Sequence, residues 1–292
     1  MYHYQMYGLT ISSDIDIPYL IEGASNDADV IIRRGDIPDF LRGADSAPYY
    51  SVAKDEAWFH NSTGFFYMRE GKYINYLERE NSSTHYDIRA FLTGYAISII
   101  LMQRGYLAIH CSAVYGLEGA VIISGGSGAG KSTLTSRFLE RGYKLMADDI
   151  AAVRFENGGA YLYPAFPYQK LCRNVLDDSD RDMEDLIYID EEKDKYLVPA
   201  EHFHNERAKV SRMLVISKKD IEELNIYELS GMDKLTGLQN NMFLHELTGP
   251  WQSSPEFLTS CLVCAGAFPI TRIERPKGKD TLSEIESHVI PK

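Results

Sequence analysis

One run of nine residues, Gly125-Gly126-Ser127-Gly128-Ala129-Gly130-Lys131-Ser132-Thr133, limits what this chain can fold into more than any other feature. It fits G-x-x-x-x-G-K-[ST] from Gly125 to Ser132 and follows the apolar segment Gly119–Ile123. The pattern has meaning only where a strand runs through a loop into a helix. Glycines let successive backbone N–H groups turn inward around phosphate oxygens, where a Cβ would obstruct them. Lys131 is then expected to reach the β- and γ-phosphates of a nucleoside triphosphate, and the Ser132 hydroxyl to hold Mg²⁺. A helix starting near Lys131 places its positive dipole end beneath the same anion. A plain Gly/Ser-rich turn is the alternative, but every fixed position and both flanking elements agree with the phosphate loop. ATP and Mg²⁺ are therefore the expected ligands, cradled by Gly125–Thr133.

The bulk properties narrow the partners. At 292 residues, 45% hydrophobic and 25% charged, the chain suits one large domain or two modest ones. Its net charge of −12, without a Lys/Arg run, argues against nucleic acid or an anionic membrane as the main partner. The longest strongly apolar stretch, Ala90–Met102, is too short for a bilayer, which needs about 20 residues. Residues 1–6 lack the basic and apolar regions of a secretory signal. A cytoplasmic location is expected, and a homo-oligomer is compatible with the sequence. Four cysteines are too few for a disulfide framework. Cys261 and Cys264 form a C-x-x-C inside the apolar, helix-like stretch Phe257–Ala267, with no second ligand pair nearby. Core cysteines are the favoured reading, with a metal or redox pair as the alternative.

Two domains are expected, residues 1–85 and 86–292. The first is rich in short β-type segments: Tyr4–Ile11, Asp29–Arg33, Tyr49–Ala53, Ala57–His60, Gly64–Arg69 and Lys72–Leu77. Turn chemistry at Glu22-Gly23, Asn61–Gly64 and Glu70-Gly71 separates them, which predicts an antiparallel sheet. A helix is expected from a Ser83 cap to about Arg104, closed by Gly105. Strands Leu107–Ser112 and Ala120–Ser124 follow, then the loop, helix Ser132–Arg141, and strands Lys144–Met146 and Ile150–Phe155 with a turn at Asn157–Gly159. Beyond a charge-dense segment, Asp177–Lys195, strands are expected at Val210–Ser217 and Leu224–Glu228. Helices Asp233–Leu247 and Ser254–Val263 and a final strand Phe268–Glu274 complete the pattern. The charged segment reads either as a solvated stretch or as a loop that grips substrate.

The acids after the loop are more selective than the loop. Asp148 comes only 17 positions after Lys131 (148 − 131), one short helix and one strand later. An adjacent pair, Asp148-Asp149, ends that strand, so both carboxylates are expected to face the γ-phosphate region. Neighbouring acids repel, which favours a division of labour: one accepts a proton from an attacking hydroxyl, the other supports metal or loop. Upstream, His110 lies in the strand preceding the loop strand, where a hairpin brings its imidazole beside the loop to hold Asp148 or meet phosphate.

His110, the loop, Arg141-Gly142 and Ala147-Asp148-Asp149 together resemble the catalytic core of the HPr kinase/phosphorylase family. The match covers Leu107–Val153, about one-sixth of the chain (47 of 292 residues). It implies an α/β phosphate-loop kinase core of the HPr kinase/PEP carboxykinase type behind a β-rich N-terminal portion. It also implies a serine-hydroxyl kinase with Asp148 as general base, His110 beside it, Lys131 on phosphate, and Ser132 with Asp149 at Mg²⁺. Thr133 stands where those kinases carry Glu, their downstream basic signature is absent, and the first 85 residues differ from their N-terminal domain. The whole layout, including Tyr163–Pro167 ahead of Lys170-Leu171-Cys172-Arg173, more closely resembles the HPr-kinase-like enzymes of ribosomal peptide pathways. In lasso-peptide clusters these phosphorylate the C-terminal serine of the precursor peptide. Lys170, Arg173 and Lys195 are candidates to meet a substrate carboxylate or phosphate. Two alternatives remain: a serine kinase of an HPr-like carrier protein, and a non-catalytic nucleotide-binding regulator.

Overall fold

The computed structural model describes residues 1–24, 27–46, 48–80, 87–173, 186–190, 194–245 and 254–290. They divide into two compact units. The first comprises Met1–Tyr106, Phe166–Ala200 and Leu244–Phe257; the second comprises Leu107–Ala165, Glu201–Phe243 and Leu258–Lys292.

The first unit opens with strands β1 (Tyr2–Met6), β2 (Leu9–Ser13), β3 (Ile21–Glu22), β4 (Val30–Arg34), β5 (Tyr50–Val52), β6 (Glu56–His60), β7 (Gly64–Arg69) and β8 (Tyr73–Glu78). They form one sheet in the order β3-β1-β2-β4-β8-β7-β6-β5. The single segment expected at Tyr4–Ile11 is a hairpin, because Tyr7 and Gly8 both take positive φ (56° and 70°) and reverse the chain. The sheet is mixed rather than antiparallel: β2–β4 and β4–β8 are parallel pairs. The buried crossover residues Ile17 and Tyr19 carry the chain from β2 toward β4, an apolar connection that turn signals alone do not reveal.

The expected helix is three consecutive pieces, α1 (Ile88–Phe91), a π-turn (Leu92–Ala96) and α2 (Ile97–Gln103). Its described start is capped by Asp87, whose carboxylate accepts the Arg89 N–H at 2.9 Å; Ser83 lies outside the described residues. Phe91 and Tyr95 pack on the sheet through Phe66 and Phe59, at ring separations of 5.8 and 5.9 Å. That packing keeps the helix with the first unit, so the break falls after Tyr106 and not after residue 85.

In the second unit β9 (Leu107–Gly116) and β10 (Gly119–Gly125) form a hairpin that runs into helix α3 (Lys131–Glu140). Strands β11 (Lys144–Ala147), β12 (Ile150–Glu156) and β13 (Gly159–Tyr163) follow, β12 and β13 joined at Asn157-Gly158 with φ of 48° and 75°. The chain then returns to the first unit for a three-stranded sheet, β14 (Tyr168–Cys172), β15 (Ile187–Asp190) and β16 (Lys195–Pro199), in the order β14-β16-β15. The rest of the charge-dense segment lies largely outside the described residues.

The second unit resumes with β17 (Ala208–Lys219), β18 (Asn225–Glu228) and helix α4 (Gly231–Gln239). Helix α5 (Pro255–Ala267), strand β19 (Ile270–Pro276) and helix α6 (Leu282–Val289) end the chain. The last element is thus a helix beyond the strand expected to close the fold, and α4 stops at Gln239, short of the expected Leu247. Strand order is β10-β9-β12-β13-β17-β19-β18, and a parallel β10–β17 pairing closes the first five strands into a circuit. Leu134 and Phe138 of α3 and Ile285 and Val289 of α6 cover one sheet face, packing on Val114, Val121, Ile123, Leu214, Ile216 and Ile273. Burying such side chains contributes about 1.5–3 kcal/mol each. Cys261 and Cys264 are fully buried, and burial pushes both thiols up to about 12, as expected for core cysteines. Among the described residues no helix is long and apolar enough to cross a membrane.

Candidate functional site

The phosphate loop leaves β10 at Gly125 and enters α3 at Lys131, with the strand–loop–helix order expected of the motif. Gly125, Gly128 and Gly130 take φ of +146°, +68° and +110°, and Gly126–Gly128 are exposed. At Gly125 the need for glycine has a second origin. A Cβ there would lie 2.1 Å from the carbonyl oxygen of Ile216 on β17. The Lys131 ammonium folds back along the loop, donating to the carbonyls of Gly125 (2.6 Å) and Gly126 (3.3 Å). Ser132 is half-buried and Thr133 exposed on the first turn of α3.

Strand register places the acids on the same side as the loop. Ile123 pairs with Ser112 and Val121 with Val114, and directly opposed residues of an antiparallel pair share a sheet face. Val121, Ile123 and Val114 all lie in the core beneath α3, so Ser112 faces α3 as well. On its other edge β9 pairs with β11 and β12 at Ala113↔Ala147 and His110↔Ile150, which sets Asp148 opposite Ser112. The Ser112 hydroxyl donates to Asp148 Oδ1 at 2.5 Å, a short charge-assisted bond from a residue only 2% exposed. His110, two residues from Ser112, shares that face at the level where β10 becomes loop.

His110 meets the second acid. Its Nδ1 lies 3.0 Å from the carbonyl oxygen of Asp149 and 3.5 Å from Asp149 Oδ1. A carbonyl only accepts, so Nδ1 carries a proton. The same carbonyl accepts the Cys111 N–H at 3.3 Å. Asp149 reaches this position with φ of +76°, a conformation aspartate tolerates better than most side chains. To the expectation that His110 holds Asp148 or meets phosphate, the structure adds Asp149 as a partner of His110 and Ser112 as a partner of Asp148. Cys111, between the two polar residues of β9, is fully buried. Burial pushes its thiol well up, the charge of Asp148 adds to that, and Lys131 opposes it.

Two residues that sequence reasoning missed brace the loop strand. Ser124 Oγ lies 2.6 Å from the His110 carbonyl oxygen and 2.7 Å from Asn241 Oδ1, while Asn241 Nδ2 donates to Gly237 at 2.7 Å. The segment after α4 also pairs with β9, through His110 N–H to Asn241 (2.8 Å) and Phe243 N–H to Ala108 (2.7 Å). Ser112 had a legible signal, a polar residue at i+2 from His110 in an apolar strand; Asn241, 117 residues from Ser124, had none.

Lys170, Arg173 and Lys195 belong to the other compact unit, on or beside the sheet of β14 and β16. Arg173 is ion-paired with Asp194 at 3.7 Å, and its backbone N–H donates to the Asp194 carbonyl at 2.9 Å.

No protein-family model matches the chain, and no curated protein matches it in sequence. Among solved structures it is similar to the Hpr(Ser) kinase/phosphatase from Coxiella burnetii, at 15% identity and a TM-score of 0.34, over 62% of this chain and 87% of that one. At that score neither topology nor activity carries over.

Proposed function

We propose that this chain is an ATP-dependent kinase that transfers the γ-phosphoryl group to a serine hydroxyl of a peptide. The observation that carries the reading is the register of β9, β10 and β11. It sets a hydrogen-bonded carboxylate, Asp148, on the same sheet face as the helix that the phosphate loop opens. Loop N–H groups and Lys131 would take the triphosphate and stabilise its equatorial oxygens as charge redistributes. Asp148 takes the proton as the acceptor O–H bond breaks. The acceptor oxygen bonds to the γ-phosphorus, and the bond from that phosphorus to the bridging oxygen breaks, releasing ADP.

The donor set suits Mg²⁺. Ser132 and Asp149 offer hard oxygens, and among the described residues no group of three His, Cys, Asp or Glu could hold an ion alone. Mg²⁺ is commonly held by one or two protein oxygens together with substrate phosphates and water. When bound, it would neutralise charge on the β- and γ-phosphates. The acceptor proposed is the C-terminal serine of a ribosomally made precursor peptide of the lasso type, on the strength of the element layout described above.

The test is direct. Purified protein is incubated with labelled ATP·Mg²⁺ and, in parallel, serine-terminated peptides and an HPr-like carrier, and the phosphate is mapped by mass spectrometry. Label on the terminal serine supports the reading, and label on the carrier alone moves the substrate to a protein. ATP binding with no transfer to either makes the chain a nucleotide-binding regulator.

A further inference from the structure

We infer that Ser112 is a positioning residue for phosphoryl transfer, holding the Asp148 carboxylate in the orientation that receives the acceptor proton. The inference rests on the kinase reading above and extends it to a residue outside the loop and the acid pair.

Three observations combine. Ser112 sits within β9, hydrogen-bonded to β10 on one edge and facing the β11–β12 connection on the other, so its Cα is fixed by strands on both sides. Its side chain is buried in an otherwise apolar stretch, where a hydroxyl without a partner is costly and the bond to Asp148 is correspondingly persistent. Asp148, by contrast, lies between β11 and β12, next to a residue of positive φ, where the chain changes direction. A carboxylate at such a bend has two side-chain torsions to fix, and the rigid strand across from it supplies the anchor. The 2.5 Å bond engages Oδ1. The acceptor proton then goes to the Asp148 carboxylate so held, while the acceptor oxygen forms its bond to the γ-phosphorus and the electron pair of the breaking P–O bond leaves with ADP. Ser112 touches neither ATP nor acceptor in this scheme and acts only through Asp148.

Ser112→Thr and Ser112→Val separate this role from packing, because the two side chains have nearly the same shape and both suit a strand, yet only threonine keeps the hydroxyl. Each is measured for melting temperature, ATP affinity by calorimetry, and turnover with two acceptors, a pool of serine-terminated synthetic peptides and water. Ser112→Val should lower kcat about 10- to 100-fold with both acceptors, the range expected when a reacting group loses about 1 Å of alignment. Its ATP affinity and peptide KM should stay within about twofold, and Ser112→Thr should restore most of the rate. Ser112→Ala supplies a second hydroxyl-free variant should valine fit poorly. If Val or Ala turns over as fast as Thr, or loses ATP binding in step with kcat, Ser112 does not position the base. Asp148→Asn tells the two readings apart. An active wild type, an inactive Asp148→Asn and a fully active Ser112→Val overturn this inference alone. A wild type that binds ATP but transfers to neither peptides nor water overturns the kinase reading and this inference with it.

Discussion

Replacing Gly125 by alanine places a Cβ 2.1 Å from the carbonyl oxygen of Ile216 and 3.1 Å from its carbonyl carbon. Both atoms are backbone, and Gly125 and Ile216 are register partners in the parallel β10–β17 pair, so no side chain can rotate away. Relief requires one strand to slide against the other in the middle of the second unit. The φ of +146° further disfavours any residue but glycine. Such a conformation costs about 1–3 kcal/mol and an overpacked core about 1–3 kcal/mol more. The total, about 2–6 kcal/mol, is a large part of the roughly 5–15 kcal/mol that holds a domain folded. At Gly126, the next residue, a Cβ would meet no atom within 4 Å, and φ is not positive. Its replacement by alanine should change stability by no more than about 0.5 kcal/mol. Thermal unfolding followed by circular dichroism therefore separates the neighbours. Gly125→Ala should lower the melting temperature by about 5–20 °C, at about 2–4 °C per kcal/mol, and Gly126→Ala by about 2 °C at most. Any loss of ATP affinity in Gly126→Ala is then a binding effect and not a folding one. A Gly125→Ala protein that melts with the wild type would refute the close approach of β17.

Three further outcomes are expected. Asp149→Gly relieves the positive φ and should leave the melting temperature unchanged or slightly higher, by about 0.5–1 kcal/mol in stability, whereas Asp149→Ala should be less stable than Gly. Both should raise the Mg²⁺ concentration needed for half-maximal transfer, and an unaltered requirement removes Asp149 from the metal set. Burial, opposed in part by Glu206, depresses the basicity of His204, which stacks on Tyr115 at 3.7 Å. The unfolded chain thus takes up the proton more readily, and stability present above about pH 6.5 is lost as pH falls through that value. His204→Phe should flatten the melting temperature between about pH 7 and 5.5, and parallel curves would contradict the shift. At Asp29 burial pushes the carboxyl up, but the Thr10 N–H and hydroxyl, with Arg104 and Lys72, outweigh it and hold it below the usual value. Its contribution is present above about pH 4 and lost in acid, so the stability gap between wild type and Asp29→Asn should close as pH drops below that point.

Local chemistry was legible where one residue type admits one geometry. The glycine loop, the short helix after it and the Asp148-Asp149 bend follow from spacing and turn residues, and the structure places each within a residue or two of its expected position. The hairpin before the loop is present too, but its first strand runs on to Gly116 and does not stop at Ser112. Long-range pairing was not legible. Parallel β2–β4 and β4–β8 contacts, the return of β14–β16 to the first unit and the Ser124–Asn241 bond join residues with no shared local pattern. The Ser112–Asp148 bond has the same origin. Sequence spacing brings His110 near both aspartates, and only the register of β9 against β11 and β12 sets Ser112 opposite Asp148. The tyrosines show a similar limit. Tyr19, which no local pattern singles out, is buried against Phe166 and Tyr168 and shares a hydrogen bond with Thr93 at 3.1 Å.

Asp148 as the proton acceptor is the claim on which the proposed chemistry turns, and Asp148→Asn tests it with little change in shape, since the amide oxygen can still accept from Ser112. ATP affinity is measured by calorimetry and single-turnover transfer with labelled ATP and serine-terminated peptides. The account predicts ATP binding within about threefold of wild type and a transfer rate at least about 100-fold lower, the scale of a lost general base. Transfer by Asp148→Asn at the wild-type rate would contradict it.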